Sequence, residues 1–241
     1  MRRSFAFFLT LGLVAVSSFA WAANDAAKPP PESAGPPART GFQAAFRTGF
    51  SLPFGDATGV SSDTLGRRYA WQVPVAFDLG AKVTRSIFAG AYLQLGFGAE
   101  GSDSEVSAYC DDNDSNFEND VSCSVVTIRL GLEGNYQFQP DQRINPWLGY
   151  GFGFESAVQS LSDRQRGYSE TNTTSGLTYA QLSGGFDLRA LVGFGPYAEL
   201  SLGRFTKATT EQNGRKVSSS DIDDSAFHAW LTIGLRMVVR P

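Results

Sequence analysis

The sequence predicts an all-β chain, an eight-stranded antiparallel up-and-down transmembrane β-barrel, from three observations. Apolar and polar residues alternate in long stretches, the connections between these stretches are short and long by turns, and the N-terminus reads as an export signal. The clearest alternation runs from Val125 to Phe138. Val126, Ile128, Leu130, Leu132, Tyr136 and Phe138 share one face with Gly134, while Thr127, Arg129, Glu133, Asn135 and Gln137 share the other. A period of two makes this a strand with one greasy and one polar face. It outruns the roughly 5 to 6 residues of an ordinary strand, as a bilayer crossing requires.

Met1 to Ala22 carries Arg2 and Arg3, an apolar run from Phe5 to Val16, and Ala20-Trp21-Ala22 as a small-x-small cleavage site. This is the pattern of a cleaved signal peptide, and the apolar run falls short of the roughly 20 residues of a spanning helix. Residues 23–40, with Pro29-Pro30-Pro31 and Pro36-Pro37, form a Pro/Ala-rich linker expected to stay disordered in the periplasm. The barrel is expected over 41–241.

Strand one sets Phe42, Ala44, Phe46, Phe50 and Leu52 against Gln43, Arg47 and Ser51. Strand two sets Tyr69, Trp71, Val73, Val75, Phe77 and Leu79 against Gln72, Pro74 and Asp78, with a bulge expected at Pro74 because proline removes a ladder donor. Strand three sets Ile87, Ala89, Ala91, Leu93, Leu95 and Phe97 against Gly90, Tyr92, Gln94 and Gly96, and the Val125 stretch is strand four. Strand five, Trp147 to Val158, places Leu148, Tyr150, Phe152, Phe154 and Val158 opposite Gly149, Gly151 and Gly153. Glycines repeated on one face leave room for side chains from other strands. Strand six sets Leu182, Phe186 and Leu188 against Gln181, Asp187 and Arg189, and strand seven sets Phe194, Pro196, Ala198, Leu200 and Leu202 against Tyr197, Glu199 and Ser201. The last strand sets Phe227, Ala229, Leu231, Ile233, Leu235, Met237 and Val239 against His228, Trp230, Thr232 and Arg236.

The connections Gly80 to Arg85, Gln139 to Asn145 and Ala190 to Gly193 are short. Those over Pro53 to Arg68, Ala99 to Ser122, Gln159 to Ser175 and Thr206 to Ser225 are expected to be long polar loops. Short turns on one side, with both termini, and long loops on the other mark a Gram-negative outer-membrane barrel. A soluble lipocalin-type barrel would turn its polar face to water and carry many Lys and Glu there. Here Lys is confined to Lys28, Lys82, Lys207 and Lys216. Four cations, Arg47, Arg129, Arg189 and Arg236, and four acids, Asp78, Glu133, Asp187 and Glu199, fall on the polar faces. Equal numbers suit a lumen whose charges pair with one another. Arg204 is the charge that breaks the apolar face, near the loop end, where it can reach lipid headgroups.

The stretches GFQAAFRTGFSLPFGD, INPWLGYGFGFE and AFHAWLTIGLRMVV resemble the small eight-stranded outer-membrane barrels of the outer-membrane protein A, X and W group, most of all an uncharacterised branch from myxobacteria and relatives. The resemblance spans the chain from about Gly41 onward and implies an outer-membrane location and insertion by the outer-membrane assembly machinery. Members usually end on an aromatic residue, whereas this chain ends Arg240-Pro241.

Cys110 and Cys123, the two cysteines, fall in the longest loop and are expected to form a disulfide, since the protein is exported. Between them Asp112, Asp114, Asn116 and Glu118 begin like a calcium loop. Phe117 stands where glycine is needed and Cys123 where the bidentate Glu belongs, so a solvated acidic loop, and no metal site, is the expectation. His228, the one histidine, is expected on the inward face; Asp223, Asp224 and Ser225 are neighbours in sequence only, so no catalytic residue is assigned. Trp71, Tyr69, Phe154 and Tyr179 on the loop side, and Tyr136, Phe138, Trp147 and Phe186 on the turn side, are expected to form two interfacial girdles. A net charge of -4 argues against a nucleic-acid partner. The expected function is structural or surface-interacting, with a plugged lumen; the alternatives are a narrow solute channel and a lipid-modifying enzyme. No cofactor is expected. The expected partners are outer-membrane lipid, lipopolysaccharide and the assembly machinery, and the barrel is expected to be a monomer.

Overall fold

A computed structural model of the chain describes residues 39–58, 63–101, 121–163, 166–188, 190, 192–222 and 226–239, all within one compact unit spanning Gly35–Pro241. The strands are β1 (Gly41–Gly55), β2 (Tyr69–Lys82), β3 (Ile87–Glu100), β4 (Val121–Gln137), β5 (Ile144–Asp163), β6 (Tyr168–Leu188), β7 (Val192–Gln212), β8 (Arg215–Asp221) and β9 (Phe227–Val239). A single helical turn, α1 (Leu65–Arg68), lies between β1 and β2.

Each strand pairs antiparallel with its sequence neighbour from β1 to β7. β9 closes the ring by pairing with β7 from Val192↔Val239 to Arg204↔Phe227 and with β1 from Ala44↔Val239 to Gly55↔His228. The ring therefore has eight strands, and β8 hangs from β7 outside it. Closure satisfies the backbone within the wall and removes the sheet edges, which is what allows strands to cross a bilayer.

The wall reverses the usual solvent pattern. Its outward residues are large and apolar, with Phe42, Phe154 and Ile233 each at least 65% exposed, whereas Gln43, Arg47, Arg129 and Asp187 inside are at most 1% exposed. A surface of this kind is stable against hydrocarbon and not against water, and the chain folds as a transmembrane β-barrel. No helix among the described residues is long and apolar enough to cross a membrane.

Several expectations need correction. Pro74 causes no bulge: the β1–β2 ladder lapses between Thr48↔Val75 and Ser51↔Gln72 but resumes in the same register, and Pro74 stays paired with Gly96. The register shift in β2 falls at Tyr69/Trp71 instead, and it turns Tyr69 from the lipid side to the interior, where it is buried. Trp147 is also interior, because it alternates with outward Leu148. Trp71, Phe154, Tyr179, Tyr136, Phe138 and Phe186 are exposed on the wall as the girdles require.

The expected loops Gln159 to Ser175 and Thr206 to Ser225 are largely strand. β5, β6 and β7 run 20, 21 and 21 residues, against 15, 14, 14 and 13 for β1, β2, β3 and β9. The extensions form a Ser/Thr-rich fin beyond the apolar band, joined to β8 through a two-residue turn at Asn213 (φ 48°) and Gly214 (φ 72°). Both residues take left-handed backbone, the geometry of a type I′ hairpin. β8 is exposed along its whole length, and the ends of β6 and β7 are at least partly exposed at every residue, so no greasy face is required there and period-two patterning fades while strand pairing persists. The disulfide expectation lies half outside the description: Cys123 is in β4, opposite Leu161, and Cys110 lies outside the described residues, as do the signal and linker segments up to residue 38, the calcium-like Asp112, Asp114, Asn116 and Glu118, and Arg189.

Candidate functional site in the barrel lumen

Alternation alone places the inward side chains, and closure brings them within reach of one another. Three charge clusters result. In the first, Arg47 of β1 donates to Asp78 of β2 from Nη2 at 2.7 Å and from Nε at 3.1 Å. The same guanidinium bonds Glu199 of β7 and reaches Glu133 of β4 at 3.4 Å. One cation thus holds three carboxylates drawn from three strands, with the ring of Tyr197 at 5.8 Å on its flank.

The second cluster centres on Glu155 of β5. Its carboxylate accepts from Arg129 at 3.1 Å, from Trp230 Nε1 at 2.9 Å and from Thr178 at 3.4 Å, and it lies 3.0 Å from His228 Nε2. Arg129 sits over the Trp230 ring at 5.0 Å, and the His228 ring stacks on Phe205 at 4.2 Å. In the third, Arg236 of β9 donates to Asp187 of β6 at 3.1 Å and lies 4.3 Å over the Trp147 ring. Lys82 donates to Gln137 at 2.9 Å.

All of these groups are buried. Charges this far from water are costly unless paired, and removing one partner of such a set is worth several kcal/mol. Of the eight charges read from the sequence, Arg47, Asp78, Arg129, Glu133, Asp187, Glu199 and Arg236 meet in these clusters, and Arg189 lies outside the described residues. The sequence reading missed Glu155, Lys82 and the role of His228 as a partner of Glu155. Glu155 was findable: it falls in step with Gly149, Gly151 and Gly153 on the inward side of strand five.

Above the second cluster lies an apolar stopper. Ala57, Leu65, Tyr69, Val125, Ala157, Phe205 and Trp230 are buried and pack into one group, with Ile222 against it. They come from α1, the β1 end and five further strands around the ring, and residues so distributed can touch only near the barrel axis. The lumen glycines make room for its contents. A Cβ at Gly96 would lie 2.1 Å from Gln72 Oε1 and 2.3 Å from Thr127 Oγ1, and one at Gly149 would lie 2.1 Å from Asn135 Oδ1.

Some inward polar atoms have no hydrogen-bond partner among the described residues, including the donors Nε and Nη1 of Arg129, Nε and Nη2 of Arg236 and Nε2 of Gln181, and the acceptor Oε1 of Gln181. Among the described residues no group of three or more His, Cys, Asp or Glu is arranged to hold a metal ion. His228 Nε2 faces Glu155, and Asp223, Asp224 and Ser225 lie outside the described residues.

No family model matches the chain, and no curated protein sequence matches it. Among solved structures, Neisserial surface protein A is similar at 10% identity with a TM-score of 0.45, covering 83% of this chain and 98% of its own. A major outer-membrane protein of Thermus thermophilus is similar at 12% identity with a TM-score of 0.44, covering 81% and 99%. The outer-membrane protein AlkL is similar at 15% identity with a TM-score of 0.35, covering 90% and 96%.

Proposed function

We propose that this chain is a monomeric integral outer-membrane barrel with a structural or surface-interacting role, its lumen closed to solutes, of the outer-membrane protein A, X and W type and allied to the myxobacterial branch. The observation that carries the closed lumen is the stopper of Leu65, Tyr69, Phe205 and Trp230, seated directly on the Arg129–Glu155–His228 cluster. Eight strands leave an interior that side chains just fill. Below the stopper the three clusters bind residues of β1, β2, β4, β5, β6, β7 and β9 into one another. No catalytic role is proposed: His228 is engaged with Glu155 inside the wall, away from lipid substrate. The proposed partners are outer-membrane lipid, lipopolysaccharide on the loop side and the assembly machinery, with no nucleic acid. Export by a cleaved signal peptide, and a disulfide between Cys110 and Cys123, belong to the same reading.

Single-channel recording in planar bilayers tests it. The native barrel should give no stable steps, and replacement of Leu65, Phe205 and Trp230 by Ala should produce them. Reproducible steps from the native protein would establish the second reading, a narrow solute channel, which the unpartnered donors of Arg129, Arg236 and Gln181 favour.

A further inference from the structure

The two ends of the barrel differ in how their charges are met. At the loop end cations stand beside acids: Arg68 bonds Asp63 at 2.6 Å, Arg166 lies 3.6 Å from Asp163, and Lys207 and Lys216 oppose Asp221 and Glu211 across the β7–β8 ladder. At the turn end Arg39 precedes β1, Arg85 sits between β2 and β3, and Arg143 ends the connection between β4 and β5. All three are exposed, and among the described residues no ion pair or side-chain hydrogen bond engages any of them. Lys82 turns into the lumen to Gln137, and Asp187 holds Arg236 there. Asp141 is the one exposed acid among the described residues of this end, so three arginines against one aspartate leave the rim a net charge of +2.

Strand register puts the three at one level. Gly41 pairs with Lys82 and Lys82 with Phe88, while Ile87 pairs with Tyr136 and Gln137 with Trp147. The entry to β1 and both turns therefore share one rim of the ring, and that rim is flush with the apolar wall. Phe42, three residues after Arg39, is 67% exposed; Val83 and Ile87, two residues to either side of Arg85, and Ile144, next to Arg143, are exposed as well. Apolar side chains anchored in hydrocarbon fix their neighbours at the headgroup layer, where an arginine stem reaches phosphate. The turns 83–86 and 138–143 are too short to carry these arginines to a partner deeper in the periplasm.

Charge then selects among headgroups. A guanidinium bonds phosphate through two parallel N–H donors, a stronger contact than a neutral hydrogen bond. In a zwitterionic lipid the phosphate is offset by the ammonium of its own headgroup, whereas phosphatidylglycerol keeps its negative charge. A rim with unpaired cations and almost no acid therefore prefers the anionic lipid, each basic residue at the membrane surface adding to the attraction.

We propose that the turn end of the barrel gathers anionic phospholipid of the periplasmic leaflet, with Arg39, Arg85 and Arg143 each holding a headgroup phosphate while the acyl chains lie on the exposed wall beside Phe42, Val83, Ile87 and Ile144. The proposal rests on the outer-membrane reading, which puts the turns at the periplasmic leaflet.

Native mass spectrometry tests it on the full-length mature barrel in dodecyl maltoside, offered equimolar phosphatidylglycerol and phosphatidylcholine of matched acyl chains. The native barrel should retain phosphatidylglycerol over phosphatidylcholine by about tenfold or more. R39Q/R85Q/R143Q should bring the two close to parity, whereas K207Q/R215Q/K216Q, which removes as many cations from the loop end, should keep the preference. Excess glycerol phosphate, the headgroup without its chains, should not displace the lipid. Parity in the native barrel, a preference surviving in R39Q/R85Q/R143Q, an equal loss in the loop-end variant, or displacement by glycerol phosphate each overturns the proposal. The gel shift on boiling scores folding, and the single variants R85Q and R143Q, each expected to lose part of the preference, decide the matter if the triple variant does not fold. Membrane fractionation runs in parallel: a native barrel absent from the outer membrane sinks the underlying reading, whereas a correctly located barrel without the preference sinks the lipid rim alone.

Discussion

Arg47 and Arg236 face each other across the β1–β9 ladder, and both are buried in the lumen. Like charges directly opposite repel. The barrel separates them by destination: Arg47 takes Asp78, Glu133 and Glu199, while Arg236 takes Asp187 and the face of Trp147. Two cations on one rung thereby tie together different parts of the wall.

Arg47 is the heavier of the two. Arg47→Ala strands three buried carboxylates and should cost about 3 to 5 kcal/mol of stability. Urea unfolding of the barrel in lipid vesicles, followed by tryptophan fluorescence, measures it. Arg236→Ala removes a cation from one carboxylate, Asp187, and should cost less, so an equal loss would count against this division of labour.

Gly96 stands where a side chain would strike the hydrogen-bonded pair Thr127 Oγ1 and Gln72 Oε1, which are 2.6 Å apart. Gly96→Val should destabilise the barrel by about 1 to 3 kcal/mol through overpacking. The same unfolding assay reads it, and combining Gly96→Val with Gln72→Ala should recover part of the loss.

Asp63 lies at the loop-side mouth, beyond the wall. Burial opposes its ionisation, but hydrogen bonds from Arg68 (2.6 and 2.7 Å) and Thr58 (2.5 Å) outweigh that and hold its carboxyl below the ordinary value. A depressed folded value means that the stabilisation is complete above the unfolded value of about 3.9 and is lost as pH falls through the folded one. The protection factor of the Ala57 amide, whose N–H bonds the Asp63 carbonyl at 2.9 Å, should therefore hold down to about pH 4 and fall below it. Asp63→Asn should show a lower protection factor throughout and lose the pH step.

Cys123 is proposed to bridge Cys110. Peptide mapping without reductant should recover the two cysteine peptides linked, and Cys123→Ser should leave the barrel inserted while loosening the loop, by about 3 kcal/mol in the chain-entropy account. Recovery of two unlinked thiol peptides from the native protein would refute the bridge.

The wall was legible because a bilayer imposes a strict rule on every second residue. Phe227 to Val239 lie as alternation says, with Ile233 and Leu235 outward and His228, Trp230 and Arg236 inward. Where the rule relaxes, so does the reading. Tyr69 turns inward at a bulge that composition does not announce, because the step depends on the register of β3. Trp147 was assigned by its type to an interface although its parity pointed to the lumen, where Arg236 supplies a cationic partner. Glu155 is the centre of the second cluster only because distant Trp230 and His228 come round the ring to meet it. The fin carried a hairpin signal in Asn213-Gly214, but its flanks lack the greasy face by which strands were recognised.

The long β5, β6 and β7 with β8 rise on one side only, while β1, β2, β3 and β9 stop low. Among the described residues the mouth therefore has a tall back and a low front, and the molecule has a compass direction within the plane of the membrane. Among the described residues, a neighbour in the surface meets a polar palisade on the side of β5 to β8 and shorter strands on the side of β1, β2, β3 and β9. Rotation of the barrel about its own axis then alters what it presents to a neighbour, a property that a rim of even height would not have.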